Sequence, residues 1–162
     1  MTTNQKKKES LDGKTEGFLP SVRLAVKLYD KFLDPLRLKY GLTKLELVVV
    51  GFLHNNPQKN TVGEIASIRS LSKGNVSCAV DSLYEKGLLK KQTDSLDRRT
   101  VHLFLEQAAM PIVEEIEQKN TKYKEAVLRN FEEQEIKTYL RLSEKMFKNM
   151  KKTIEILEHE GE

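Results

Sequence analysis

Two adjacent arginines and two aspartates stand close together in the stretch from Lys91 to Thr100, KQTDSLDRRT. A guanidinium is planar, permanently charged and forked, and it grips phosphate or carboxylate oxygens two at a time. Arg98 and Arg99 are therefore suited to a polyanion. Asp94 or Asp97 is placed to brace one of the two guanidinium groups in a two-pronged pair. Lys90 and Lys91, just before, suit backbone phosphates. Taken alone, the same residues also fit a surface ion-pair cluster of little energetic weight. A second candidate surface lies upstream, where residues 72–78 read SKGNVSC. Ordinary solvated helix faces are rich in Glu and Lys. Here Ser72, Gly74, Asn75, Ser77 and Cys78 are small or hydrogen-bonding, with Lys73 the one charge.

The elements that must position these residues can be read from periodicity. After Gly87 the apolar period changes from 3.6 to 2: Leu89, then Val101, Leu103 and Leu105, alternate with other residues. Two strands joined by TDSLDR form a β-hairpin. Before it, Thr43 with Glu46 and Thr61 with Glu64 are two capping boxes, each opening a short helix. Leu42 and Leu47 stand at hydrophobic-staple positions, and the first of these helices is apolar nearly all round and expected to be buried. Ser72 starts another helix, which Gly87 ends. On a wheel of about 100° per residue its Val76, Ala79, Val80 and Leu83 fall inward and Gly74, Cys78 and Ser82 outward. Short helices followed by such a hairpin make a winged helix-turn-helix, and the hairpin is the wing. Small outward residues let a helix enter a DNA major groove about 12 Å wide. Arginines on the wing would then reach the neighbouring minor groove or its phosphates.

Longer helices flank this unit. Phe18, Val22, Ala25, Tyr29, Phe32 and Leu36 form one stripe, which Pro35 either kinks or ends and restarts. Pro111 fits a first helical turn. Ile112, Ile116, Tyr123 and Val127 form a second stripe, and Ile136, Tyr139, Ser143, Met146, Met150, Ile154 and Leu157 a third. These helices are too long and too striped to be buried on a small winged helix, so a second chain is expected against them. The expected organisation is a disordered basic arm (1–15), an N-terminal dimerisation helix (16–40), a winged helix-turn-helix (41–106) and C-terminal dimerisation helices (107–162). The fold class is mainly α with a small β-wing.

Composition agrees. The 162 residues are 38% hydrophobic and 32% charged, with four prolines and no tryptophan. The formal net charge of +4 divides unevenly: +5 over residues 1–60, +2 over 61–105 and −3 over 106–162. Positive charge in the front two-thirds permits a polyanionic partner there. No apolar run approaches the roughly 20 residues of a membrane span. No apolar stretch follows the basic N-terminus as in a secretory signal. One cysteine leaves no internal disulfide, which points to the cytoplasm. His54, His102 and His159 lack metal-ligand spacing, so no metal and no cofactor are expected. No nucleophile–base–acid set or phosphate loop marks an enzyme.

The stretch LSKGNVSCAVDSLYEKGLLKKQTDSLDRRTVHLFL resembles the core of the MarR (multiple antibiotic resistance regulator) family. The matching features are a Ser-initiated helix, Val80–Asp81–Leu83–Lys86–Gly87–Leu88, and a wing ending Asp94–Asp97–Arg98–Arg99. Leu42–Thr43 and the T-x-x-E-I-A run from Thr61 match as well. The resemblance implies a homodimeric transcriptional regulator that binds a pseudo-palindromic double-stranded operator, a repressor more than an activator. It also implies a small aromatic or amphipathic effector between the dimerisation helices and the winged lobe. Tyr29, Phe32, Phe52, His54 and Tyr123 are the candidate lining, or else ordinary core aromatics. Relatives follow the last strand with L-T-x-x-G, whereas this chain reads LEQAAMP from Leu105 to Pro111, so the next helix should start differently. Cys78 is either a small residue chosen for fit or a thiol whose oxidation blocks binding. The competing reading of the whole chain is a protein-interaction module that kept the winged helix and lost DNA binding.

Overall fold

The computed structural model describes residues 15–160, with side chains described from 18 to 158. The order is α1 (Thr15–Tyr40), α2 (Lys44–Asn55), α3 (Val62–Arg69), α4 (Lys73–Glu85), β1 (Leu89–Thr93), β2 (Val101–Leu105), a 3-10 turn (Gln107–Ala109), α5 (Met110–Val127) and α6 (Glu133–Glu160). β1 and β2 pair antiparallel, Leu89 opposite Leu105 and Thr93 opposite Val101. The chain divides after Tyr123 into two units. Among the described residues, no helix is long and apolar enough to cross a membrane. The basic arm expected over 1–15 falls outside the described residues except for Thr15, which already begins α1.

Each short helix starts where its cap dictates. Thr43 accepts from the Glu46 amide while Glu46 accepts from the Thr43 amide at 2.6 Å. Thr61 and Glu64 repeat the arrangement at α3. Ser72 accepts from the Asn75 amide at 3.2 Å and so opens α4. Gly87, at φ +68°, provides the left-handed residue that turns the chain from α4 into β1. The inner residues of α4, Val76, Ala79, Val80 and Leu83, join one core with Leu47, Val49, Val50 and Phe52 of α2 and Ile65 and Ala66 of α3. Leu89 and Leu103 from the hairpin, and Ile112 and Ile116 from α5, complete it.

Pro35 does not end the first helix. α1 runs unbroken through it, with Leu33 and Leu36 buried on either side and Asp34 paired to both Lys31 and Arg37. Packing on both sides of the proline holds the helix together across the missing amide. Phe18, Leu19, Val22, Leu24 and Val26 in the N-terminal half of α1 remain exposed. In the second unit α6 exposes Tyr139, Met146, Phe147, Met150, Ile154 and Leu157. The 3-10 turn that leads into α5 follows Glu106 without a side-chain cap.

The charged centre of the winged lobe is Glu46, 1% exposed. Burial alone would raise its pKa. Hydrogen bonds from Lys86, the Thr43 amide and Ser82 outweigh burial and hold the carboxyl at about 2, below its ordinary 4.5. Lys86 reaches it from the end of α4 at 2.6 Å and also donates to the Gly41 carbonyl at 3.1 Å. Because the folded pKa is the lower one, this contribution is complete above 4.5 and is lost as pH falls through about 2. Lys86→Met should destabilise the fold by about 2–3 kcal/mol, somewhat less than for breaking a fully buried pair because the lysine is partly solvated. Urea unfolding at neutral pH measures this, and Glu46→Gln should flatten the acid limb of the stability profile between those two pH values.

Candidate functional site

The outward face of α4 is the first half of the site. Ser72, Lys73, Gly74, Asn75, Ser77 and Cys78 are all exposed, while Val76 and Ala79 between and beside them are buried. A methyl group added at Gly74 would meet nothing of the protein within 4 Å. Glycine in a helix destabilises it by roughly 0.5–1 kcal/mol relative to alanine. Its use at Gly74 is therefore not forced by this chain's own packing. Cys78 borders an open groove of about 390 Å³ whose other walls include Thr43 and Leu45.

The wing is the second half, and its carboxylates do something other than expected. Asp94 accepts from the Leu96 amide at 2.7 Å and the Asp97 amide at 2.8 Å. These bonds, with the imidazole of His102, hold its carboxyl below the usual carboxylate range. Asp97 accepts from the Arg99 amide at 3.0 Å and the Thr100 hydroxyl at 2.9 Å. Asp94 and Asp97 therefore brace the turn through its own backbone and the Thr100 hydroxyl, in place of the expected two-pronged pair with a guanidinium. The amides two and three residues ahead lie within reach of each carboxylate as soon as the chain turns, and they need no long side chain to be ordered. Among the described residues, no side chain hydrogen-bonds or pairs with the guanidinium of Arg98 or Arg99. The turn is anchored to the lobe by His102, with Nε2 3.3 Å from Asp94 and Nδ1 2.7 Å from the side chain of Asn60, itself 7% exposed. The Asn60 carbonyl accepts from the Leu103 amide at 2.8 Å. Asn60 and His102 were not legible as site residues, since neither lies in the helix or the turn.

Of the two strand lysines, Lys91 has partners within the lobe. Lys91 pairs with Asp81 of α4 and lies 4.9 Å from the ring of Tyr84. It joins the wing to the helix and is not poised for a phosphate. Lys90 stands 5.9 Å from the Phe104 ring. Leu96, at the tip of the turn, is 97% exposed. Its one sequence signal was an apolar residue inside an otherwise polar loop.

The five residues proposed as a cleft lining do not converge. Tyr29, Phe32 and Tyr123 cluster edge to face, with ring centres 5.1 and 6.1 Å apart. Phe52 is core, with Arg69 over its ring, and His54 borders a separate open hollow. Tyr29 does line a cavity with Arg69, Asn55 and Asn120, but its volume is about 80 Å³. A cavity of about 150 Å³ is known to take benzene, so this one is too small for an aromatic acid as it stands. Among the described residues, no group of three metal-ligating side chains occurs.

Helices capped and packed in this way, with a two-stranded wing beside the last of them, define a winged helix-turn-helix protein. Within that class, residues 40–100 match the model of the MarR family. A MarR protein from Peptoclostridium difficile is similar at 21% identity and TM-score 0.75, over 83% of this chain and 88% of the other. A SlyA-like transcription regulator from Listeria monocytogenes is similar at 18% and 0.76, over 84% and 90%. The S. aureus MepR–DNA complex is similar at 18% and 0.68, over 79% and 91%. The chain has the fold of MarR-family transcriptional regulators.

Removing one turn-bracing carboxylate tests the wing geometry directly. Asp94→Ala should speed hydrogen exchange at the Leu96 and Asp97 amides several-fold and leave protection in α2 and α4 unchanged. Unaltered exchange at both amides would show that the carboxylate does not hold the turn.

Proposed function

We propose that the protein is a homodimeric, sequence-specific regulator that binds double-stranded DNA and represses transcription until a small ligand relieves it. The observation that carries this reading is the pairing of an exposed face of small residues on α4 with two guanidinium groups that have no side-chain partner among the described residues. Ser72, Lys73, Gly74, Asn75, Ser77 and Cys78 would meet base edges and phosphates in a major groove. Arg98 and Arg99 would enter the adjoining minor groove, whose negative potential favours arginine. Lys90 would touch a phosphate, while Lys91 would set the wing's position through Asp81. MepR, a protein of similar fold, forms a complex with DNA, which supports DNA binding here.

The dimer is proposed from the apolar residues left exposed along α1 and α6, which a second copy would cover. On that reading residues 16–40 and 107–162 are dimerisation segments and 41–106 bind DNA. A two-fold dimer reads a pseudo-palindrome. The cavity at Tyr29 would have to widen for an aromatic effector to act there.

Selection of binding sites from a random duplex library tests the reading and defines the operator. Arg98→Ala and Arg99→Ala should each weaken operator binding by roughly 1–3 kcal/mol and reduce the salt dependence by about one counterion where a phosphate contact is lost. Sedimentation should find the dimer intact in both. Gly74→Ala should raise thermal stability slightly and yet lower affinity, because the added methyl meets only the groove. Absence of any enriched site, with no duplex binding at low salt, would leave the protein-interaction module as the better account.

A further inference from the structure

We propose that Leu96 is a specificity-determining residue, an apolar reader that favours A·T over G·C pairs in the minor groove beneath the wing. The inference rests on the DNA-binding reading above and extends it to what the wing distinguishes.

Leu96 is the most exposed of the large hydrophobic side chains on the described surface, at 97%. Its side chain contributes no packing to the fold, and a turn between two capping aspartates is equally well made by a polar residue. Single exposed leucines are common on protein surfaces. This one differs in how it is held. Its own amide is bound to Asp94, as is that of Asp97, and Asp97 in turn takes the Arg99 amide and the Thr100 hydroxyl. His102 then ties Asp94 to the buried Asn60. The tip is thus a fixed platform, so little backbone ordering opposes a contact made there. Arg98 and Arg99 follow Leu96 by two and three residues, so a duplex gripped by the guanidinium groups also meets the leucine.

The minor groove presents acceptors only over A·T pairs, while G·C adds the guanine 2-amino donor. An aliphatic chain laid over that amino group removes it from water and offers no acceptor in return, which penalises G·C. Over A·T the same chain buries its surface against a smooth groove floor. Arginine alone selects for negative potential and phosphate position. The leucine adds a direct test for the amino group.

The experiment uses the full chain and the selected operator, with the positions under the wing located by footprinting. Those positions are synthesised as A·T, G·C or inosine·C, the last lacking the 2-amino group. Wild type should bind A·T and inosine·C forms alike and the G·C form about five- to thirtyfold more weakly, within the span for one or two mismatched pairs. Leu96→Ser should bring the three within about twofold of one another, leave the salt slope unchanged because no charge is lost, and keep the wild-type melting temperature. Leu96→Met should restore most of the discrimination. If Leu96→Ser retains the A·T preference while Arg98→Ala and Arg99→Ala lower affinity and salt slope, this inference falls and the DNA-binding reading stands. If the arginine variants change neither, the reading of the wing falls and the inference with it.

Discussion

The winged lobe depends on one buried carboxylate. Glu46 closes the capping box at the start of α2 and receives Lys86 from the end of α4, whose ammonium also reaches the Gly41 carbonyl after α1. The turn after α1, the start of α2 and the end of α4 therefore meet at one charge. An isolated carboxylate in that position would be strongly disfavoured, and pairing it converts the penalty into a geometric requirement. α4 can sit against α2 only with its C-terminal lysine over the start of the neighbour. That register turns Val76, Val80 and Leu83 inward, and the small residues of the same helix are consequently the ones left outside.

The wing follows a related rule with the opposite outcome for charge. Its two aspartates spend their lone pairs on amides and a hydroxyl of their own turn. Negative charge is thereby used locally to shape the backbone, and among the described residues neither arginine's guanidinium is taken up by a side chain. A guanidinium brace would have done the reverse, satisfying the cations and leaving the loop loosely held.

What could be read from the chain alone follows the range of the interactions. Both threonine–glutamate boxes, the Ser72 cap and the Gly87 stop act within a few residues, and each forms where its residues stand. The inward face of α4 also follows from a fixed helical period. Errors appear where one group had a choice of partners. Asp94 and Asp97 had nearby amides as well as arginines; Lys91 had Asp81 and Tyr84, brought near only by folding. Pro35 was ambiguous because tertiary packing at Leu33 and Leu36 decides whether the helix continues. The aromatic candidates divide for a similar reason: Tyr29, Phe32 and Tyr123 cluster, whereas Phe52 is core and His54 is exposed, and residue type alone does not separate them. The link from Asn60 through His102 to the turn spans residues far apart in the chain, and no local pattern marks it.

The tie between Lys91 and Asp81 gives the lobe a mechanical property. Strand and helix are latched to each other beside the Tyr84 ring, so within one lobe they form a calliper of set gauge. On the DNA-binding reading, the distance between the two grooves touched by one copy is dictated by protein. Variation among target sequences must then be absorbed by twist and bending of the duplex. Stiff tracts of the wrong helical repeat would be rejected without any base being contacted.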